Sequence, residues 1–316
     1  MNHRELIAAL TPLHGAGEAR AIVRMVMEER FGLSQTDLLL GKDTTLSSRD
    51  RAEFKKIAER LLTGEPVQHV LGYADFCGHR FRVTPDVLIP RPETEELTRW
   101  AIDELNTLNP QPSSLNRPLQ GTTLLDLCTG SGCIAISLAL AFPQAHVVGV
   151  DISDAALAIA RENDAALGAH NVTFIECDVL ADPSQPSPLG DHRGLPIVPL
   201  GGPQGAFYPS TLNPQPSTII SNPPYVRDCE ASEMLPTVLD HEPSLALFVP
   251  DDDPLRFYRA IAAIGQRCLC PGTPVLVEVN TALSDATRQL FIDAGYHDVE
   301  VRDDQFSRPR MVKAVL

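Results

Sequence analysis

A turn with two glycines, between Asp126 and Gly132, is the first segment whose residue types point to a binding site. Glycine lets the backbone pass close to a ligand, and the free N–H groups at the start of a following helix attract polar or anionic groups. The turn lacks the G-x-G-x-x-G order of dinucleotide-binding enzymes, so taken alone it also fits a tight turn with a purely structural purpose. The candidate binding residues in it are Asp126, Cys128, Thr129, Gly130, Ser131 and Gly132.

Two aspartates follow the next two apolar runs of the chain. Asp151 comes 19 residues after Gly132, a spacing at which a carboxylate can accept hydrogen bonds from both hydroxyls of a ribose. The alternative is that Asp151 caps a helix that begins near Ser153. Asp178, with Val179 beside it, is placed to reach the base of the same nucleoside, although an ordinary loop carboxylate would look the same.

The sequence Asn222-Pro223-Pro224-Tyr225 carries the second kind of chemistry. Proline fixes its own backbone and favours extended geometry in the preceding residue, so Asn222 and the Pro223 carbonyl would be held rigidly. Two fixed acceptors beside an aromatic ring can bind a planar –NH2 group. The alternative is a turn that the prolines merely stiffen.

These candidates share a setting, since each directly follows a short, nearly continuous apolar run. Such runs alternate with helical stretches at 132–142 and 153–168, a pattern typical of an α/β fold with a mostly parallel, buried sheet. We expect 296–302 and 310–316 to add an antiparallel pair at one edge. The predicted parallel strands are 122–127, 145–150, 171–176, 217–221 and 273–279.

The first part of the chain reads differently. Apolar residues at helical spacing in 14–32, and in the segment that Ser47 opens, predict a helical bundle over residues 1–66. Residues 67–91 are rich in β-branched and aromatic residues and predict a β-hairpin linker. The segment 92–108 then predicts an amphipathic helix that opens the larger domain, 92–316.

The composition excludes several classes of protein. Residues 1–90 carry 12 Lys and Arg against 12 Asp and Glu, whereas residues 91–316 carry 14 against 29, so the net charge of −15 lies in the second part. An acidic body disfavours direct nucleic-acid binding. The seven cysteines lack C-x-x-C spacing, which favours buried free thiols over disulfides or a metal site. No apolar run is long enough for a membrane span or a secretory signal, so we expect a cytoplasmic protein.

An almost unchanged octapeptide recurs in the chain, as TLNPQPSS at 107–114 and TLNPQPST at 211–218. Its surroundings, near 107–118 and 181–217, are rich in proline, glycine and serine. We expect low-complexity insertions in surface loops there, with a proline-rich docking site as the alternative.

Taken together, the motifs resemble a known family. The glycine turn, the acids after the second and third strands, and the N-P-P-Y tetrapeptide look like a class I S-adenosylmethionine-dependent methyltransferase that acts on an amide or exocyclic amino nitrogen. The flanking strings FCGHRF (76–81), VLIPRPETEEL (87–97), HEPSLALF (241–248) and FYRAIA (257–262) sharpen this likeness. They resemble the HemK-type protein-(glutamine-N5) methyltransferases that modify peptide chain release factors.

This resemblance implies a Rossmann-like methyltransferase domain behind a small N-terminal helical domain that helps to select the substrate. The implied reaction is methyl transfer from S-adenosylmethionine to the side-chain nitrogen of a glutamine in a release factor. The implied cofactor contacts are Asp126, Cys128 to Gly132, Asp151, Asp178, Val179 and Asn222. The implied substrate contacts are Asn222, Pro223, Pro224 and Tyr225, with Asn222, Pro223 and Tyr225 as the catalytic group.

Two departures from the family pattern stand within the cofactor motif. Cys128 occupies a position where glycine is common, and Val179 stands where many relatives place an aromatic ring. The alternatives to the main interpretation are a methyltransferase of a ribosomal-protein glutamine, a DNA adenine-N6 methyltransferase, and a Rossmann-like binding module without catalysis.

Overall fold

The computed structural model describes residues 1–108, 121–181 and 216–316. The chain divides into two compact units. The first unit comprises Met1–Tyr73 together with Glu233–Glu242, and the second comprises Ala74–Ser232 together with Pro243–Leu316. Most of the two proline-rich insertions predicted near 107–118 and 181–217 lies outside the described residues.

The first unit is built from helices. They are α1 (His3–Phe31), α2 (Gln35–Leu39), α3 (Ser48–Leu62) and α4 (Val67–Leu71), and the later segment adds α8 (Pro236–Leu239). Ser47 caps α3 by accepting the Asp50 N–H, so the predicted start of this helix is confirmed. Gly15, with φ 76°, interrupts the helical geometry of α1. The predicted helices of this region are therefore present.

The predicted hairpin over 67–91 is wrong in its first residues. Val67–Leu71 is the helix α4, because Val67, Val70 and Leu71 lie at helical spacing and are buried in the core of the bundle, and Gly72 then ends the helix in the left-handed region. The hairpin itself is shorter and consists of β1 (Tyr73–Phe76) and β2 (His79–Arg82).

The turn of this hairpin contains two residues, Cys77 and Gly78, with φ values of 49° and 79°. Positive φ at both central positions is the geometry that matches the twist of two paired strands. The hairpin is fastened to helix α7 (Asp154–Leu167), where Asn163 accepts the Arg82 N–H at 2.7 Å and donates to the Arg82 carbonyl at 3.1 Å.

A seven-stranded sheet, counted over the described residues, forms the centre of the second unit. Its order is β10-β11-β9-β6-β3-β4-β5. The strands from β9 to β5 are parallel, whereas β10 and β11 are antiparallel, as predicted for the edge. The strands are β3 (Thr123–Leu127), β4 (His146–Asp151), β5 (Val172–Glu176), β6 (Pro216–Ser221), β9 (Pro274–Glu278), β10 (His297–Asp303) and β11 (Pro309–Val315).

Helices cover both faces of this sheet. Leu124 packs in one buried cluster with Trp100, and its neighbour Leu125 packs in the other with Tyr258. Successive strand residues thus enter opposite cores, which is why the strands read as continuous apolar runs. The other α-helices and strands of the described residues are α5 (Pro92–Leu108), α6 (Cys133–Ala141), α9 (Arg256–Cys268), α10 (Ser284–Asp293) and a short pair, β7 (Val226–Arg227) and β8 (Phe248–Val249).

The chain order creates a point where polar residues can meet. From β3 the chain runs outward through β4 and β5 and then returns to β6 on the other side of β3. The register sets Leu127, the last residue of β3, beside Ser221, the last residue of β6. Ligands of open parallel sheets bind at such a reversal, outside the carboxyl ends of the strands.

A glycine in β4 tests how tightly this part of the sheet is packed. A Cβ at Gly149 would lie 2.8 Å from the Phe174 ring and 2.9 Å from Thr129 Oγ1. Gly149→Ala is expected to lower the free energy of unfolding by about 1–3 kcal/mol, measured by urea titration. The control is Gly17→Ala in helix α1, where an added Cβ would meet no atom within 4 Å apart from its chain neighbours and the adjacent helix backbone. A gain of about 0.5–1 kcal/mol is expected there. Equal stability of Gly149→Ala and the wild-type protein would contradict this packing.

Candidate active site

A cavity of about 340 Å³ lies at the carboxyl ends of the parallel strands. The segments after β3, β4, β5 and β6 all contribute to it. The segment after β3 contributes Cys128, Thr129, Gly130 and Ser131, and the end of β4 contributes Asp151. The segment after β5 contributes Asp178 and Val179, and the segment after β6 contributes Asn222 and Pro224. Thus the structure brings together most of the residues singled out in the sequence.

The strings quoted for the family resemblance supply further walls of the same cavity. Val87, Leu88, Pro90 and Thr94 come from the segment before and into α5, and Phe248 and Phe257 come from the later strings. Residues far apart in the sequence therefore surround one space. Phe248 and Phe257 also place aromatic rings at a cavity in which Val179 supplies none.

Asp126 has a different place from the one predicted. Its side chain is fully buried and lies outside the described lining of the cavity. One of its oxygens accepts the Thr129 hydroxyl at 2.5 Å and the Ala135 N–H at 3.0 Å. Asp126 therefore joins the glycine turn to the first turn of α6 through hydrogen bonds.

The turn depends on backbone geometry that side chains rarely adopt. Cys128, Gly130 and Gly132 have φ values of 63°, 54° and 79°. Positive φ explains why glycine is common at the position of Cys128, and it shows that this cysteine accepts the strained conformation. Gly132 is not among the residues that line the cavity, and a Cβ there would lie 3.0 Å from side-chain atoms of Ala160 and Ile136. The absence of a side chain at Gly132 therefore lets Ala160 of α7 and Ile136 of α6 pack close to the turn.

Asp151 holds the turn through its carboxylate. One oxygen accepts the Gly130 N–H at 2.8 Å, and the other accepts the Ser153 N–H at 3.0 Å. Ser153, and not Asp151, caps helix α7 by accepting the Ala156 N–H. The helix-cap alternative for Asp151 is therefore wrong. Burial raises the pKa of this carboxyl, while the backbone hydrogen bonds act to lower it.

The segment after β5 continues the same wall. The Cys177 N–H donates to the Asp151 carbonyl at 2.8 Å, so this segment remains tied to the end of β4. Asp178 accepts the Leu180 N–H at 2.8 Å and lies within the cavity lining beside the largely buried Val179. Both residues therefore line the same cavity as Asp151.

Asn222 is held from behind by a residue that the sequence analysis did not single out. Its amide nitrogen donates to the Thr94 hydroxyl at 2.9 Å, and Thr94 donates to Glu278 at 2.6 Å. Thr94 belongs to the string RPETE and Asn222 to NPPY, so the two motifs meet through one hydrogen bond. Both residues line the cavity.

Tyr225 and Pro223 lie outside the described lining. The Tyr225 hydroxyl instead donates to the second oxygen of Glu278 at 2.8 Å. Glu278 is 1% exposed and ends the apolar strand β9, and burial raises its pKa against the opposing effect of these hydrogen bonds and of Arg310. A lone carboxylate in an otherwise apolar strand was the signal that could have found it.

The cysteines differ in burial, so the expectation of buried thiols holds for only some of them. Cys133, Cys177 and Cys268 are buried, whereas Cys229 is exposed. Burial raises the pKa of Cys128 well above its usual range, so this thiol at the cavity is not an activated nucleophile.

Over the ranges that the structure describes, no group of three or more His, Cys, Asp or Glu side chains is placed to hold a metal ion. Within those ranges no helix is both long and apolar enough to cross a membrane.

Comparison with known proteins places this geometry in a family. The model of the "PrmC N-terminal domain" matches residues 6–72, and a "Methyltransferase domain" model matches 119–188. The release factor glutamine methyltransferase of Bacteroides thetaiotaomicron is 40% identical over 97% of this chain and 96% of its own length. The chain belongs to the release factor glutamine methyltransferase family. The Flavobacterium psychrophilum enzyme of the same name is 34% identical over 99% of this chain and 97% of its own.

One relative of this family has a different name. The 4-amino-L-phenylalanine/4-methylamino-L-phenylalanine methyltransferase of Streptomyces pristinaespiralis is 33% identical and covers 84% of this chain and 78% of its own length. Both names describe methyltransferases, and the predicted family and Rossmann-like methyltransferase fold are confirmed.

The buried Asp126 gives the stability of the protein a defined pH dependence. Burial raises the pKa of its carboxyl to about 7 from 3.8. Between those two pH values the unfolded chain loses the proton while the folded protein keeps it, so stability falls as the pH rises. Relative to Asp126→Asn, wild-type stability is expected to fall by up to about 1.4 kcal/mol per pH unit between pH 5 and 7, and to level off above.

Urea titrations of both proteins at a series of pH values measure this difference. Asp126→Asn is a matched control, since the introduced amide retains an oxygen for Thr129 and Ala135 but carries no titrating group. Parallel stability curves for the two proteins from pH 5 to 8 would contradict the raised pKa.

Proposed function

We propose that this protein transfers a methyl group from S-adenosylmethionine to the side-chain amide nitrogen (N5) of a glutamine in a peptide chain release factor. The observation that carries the proposal is the position of Asn222. Its amide lines the same cavity as Asp151 and the glycine turn, and its nitrogen is already engaged by Thr94. The amide oxygen is therefore the end that can accept a hydrogen bond from a bound substrate.

The residues of the cavity fit S-adenosylmethionine. Asp151 offers carboxylate oxygens for the ribose hydroxyls. No atom of the protein lies within 4 Å of the position that a Cβ of Gly130 would occupy, apart from its chain neighbours, so the backbone of the turn is open to a ligand there. Val179, Phe248 and Phe257 provide apolar and aromatic surface for the base. When bound there, S-adenosylmethionine supplies an electrophilic methyl group on its sulfonium.

Methylation of an amide needs help because the nitrogen lone pair is delocalised into the carbonyl. Acceptors at Asn222 Oδ1 and at the Pro223 carbonyl would bind the two N–H groups of the substrate amide. Held in this way, the nitrogen presents its lone pair in one fixed direction, and its developing positive charge faces oxygen dipoles. The chain thus contributes orientation and electrostatic stabilisation.

This arrangement requires no general base before methyl transfer. Positive charge on the nitrogen makes its proton easy to lose once the new bond has formed. The buried Cys128 and Glu278 carry raised pKa values and are not needed as proton carriers. The Tyr225 hydroxyl is bound to Glu278, so in this proposal Tyr225 would contact the substrate only through its ring.

A protein substrate fits this chain better than DNA does. The excess negative charge of residues 91–316 would repel a phosphate backbone from the unit that carries the cavity. The relatives named above support a release factor as the partner. In this proposal the N-terminal unit selects that partner. A binding module without catalysis would have no use for an oriented amide at Asn222.

The decisive experiment incubates the protein with S-adenosylmethionine and a release factor and reads the product by mass spectrometry. The expected product is one methyl group on one glutamine, absent when that glutamine is replaced by alanine. Asn222→Ala should lower kcat by at least ~100-fold and leave cofactor affinity nearly unchanged, because a positioning contact of the reacting nitrogen is lost.

The matched control is Asn106→Ala, which removes an exposed amide from helix α5. Its kcat should equal that of the wild-type protein. Methylation of DNA or of an aromatic amine, with an unmodified release factor, would reject this substrate assignment. An unchanged kcat in Asn222→Ala would reject the role of the amide.

A second prediction concerns the cofactor alone. Asp151→Ala should weaken S-adenosylmethionine binding by about 1.5–3 kcal/mol, the scale of charge-assisted hydrogen bonds to a sugar. Calorimetry measures this against Asp154→Ala, which removes an exposed carboxylate three residues further on. Equal affinity of Asp151→Ala and the wild-type protein would remove Asp151 from the cofactor site.

A further inference from the structure

Four side chains behind the cavity form a continuous chain of hydrogen bonds that we call the Glu278 network. Tyr225 OH donates to Glu278 Oε1 at 2.8 Å, Thr94 Oγ1 donates to Glu278 Oε2 at 2.6 Å, and Asn222 Nδ2 donates to Thr94 Oγ1 at 2.9 Å. Glu278 is 1% exposed and Thr94 is 3% exposed. Water therefore has little access to Glu278 and Thr94 and cannot easily replace their hydrogen bonds.

The direction of the bonds follows from the number of protons available. Tyr225 and Thr94 each have a single hydroxyl proton, and both protons are directed to the carboxyl oxygens of Glu278. Thr94 Oγ1 then has only lone pairs left for its other neighbour. Asn222 must offer it the NH2 end of its amide, which leaves Oδ1 for a group in the cavity.

The backbone holds these residues in register. Val277 pairs with Ser221 across β9 and β6, so Glu278 and Asn222 are the next residues on adjacent strands. Ser221 is itself fixed by donating to the Leu127 carbonyl at 2.5 Å. Thr94 approaches from the first turn of α5. The orientation of one amide thus depends on two strand ends and one helix.

We propose that Glu278 and Thr94 are positioning residues that fix which end of the Asn222 amide faces the substrate. This inference rests on the proposed function, in which Asn222 Oδ1 accepts a hydrogen bond from the amide that is methylated. An amide free to rotate by half a turn would present NH2 to the substrate N–H groups, and two donors would then meet. The network excludes that orientation.

The test compares Thr94→Val, Thr94→Ser and Glu278→Gln with the wild-type enzyme. Valine preserves the shape of threonine but removes the acceptor for Asn222, and glutamine leaves one of the two hydroxyls without an acceptor. Thr94→Val and Glu278→Gln are each expected to lower kcat about 10–100-fold, while the dissociation constant of S-adenosylmethionine changes less than threefold. Thr94→Ser keeps the hydroxyl and should restore most of the kcat lost in Thr94→Val.

The matched control is Thr98→Val, one helical turn further along α5. Thr98 is fully buried and donates to the Thr94 carbonyl at 2.8 Å, but it belongs to no bond of the network. It is expected to change thermal stability without the loss of kcat. If Thr98→Val and Thr94→Val lower kcat equally, or if Thr94→Ser is as impaired as Thr94→Val, the positioning role is overturned.

A second measurement needs no substrate and separates this inference from the proposed function. In protein labelled with 15N-asparagine, the side-chain NH2 signals of Asn222 are those missing from Asn222→Ala. They should shift and exchange faster with solvent in Thr94→Val and return in Thr94→Ser. Unchanged NH2 signals in Thr94→Val would overturn the positioning role of the Glu278 network, whatever substrate the enzyme takes. Shifted signals together with an unmethylated release factor would support the positioning role and reject only the proposed substrate.

Discussion

The hydrogen bond from Asn222 to Thr94 is the interaction through which the rest of the site becomes chemically useful. An asparagine amide has two ends of nearly identical shape and opposite hydrogen-bonding character. The fold resolves this ambiguity by binding the nitrogen from behind, where Thr94 is itself committed to the buried Glu278. Through this bond the motifs RPETE and NPPY, whose bonded residues lie 128 positions apart in the chain, form one site.

The parallel sheet supplies the geometry that this interaction needs. Its strands end at one edge, so Asp151, the glycine turn and Asn222 face a common cavity from three neighbouring strands. Asp126 and Asp151 both hold the turn: Asp126 accepts from Thr129 and from Ala135 in α6, and Asp151 accepts from Gly130. The loop can therefore hold positive φ at Cys128 without a glycine.

Much of this arrangement could be predicted from the sequence, because short apolar runs followed by polar residues mark the carboxyl ends of buried strands. The strand β4 and the aspartate that ends it are an example. What could not be predicted depends on contacts distant in the chain. The residues Val67–Leu71 look like a strand in the sequence, and only the structure shows their apolar face in the helical core. Glu278 is conspicuous in its apolar strand, but its partners Thr94 and Tyr225 are known only from the structure.

The central claim is that the acceptor is a glutamine amide bound by Asn222 Oδ1 and the Pro223 carbonyl. A crystal structure of the protein with S-adenosylhomocysteine and a glutamine peptide from a release factor tests it most directly. The account predicts the glutamine nitrogen at about 2.7–3.2 Å from both oxygens, with Asn222 Nδ2 still bound to Thr94. A glutamine held elsewhere in the cavity, or an Asn222 amide turned with its nitrogen towards the substrate, would contradict it.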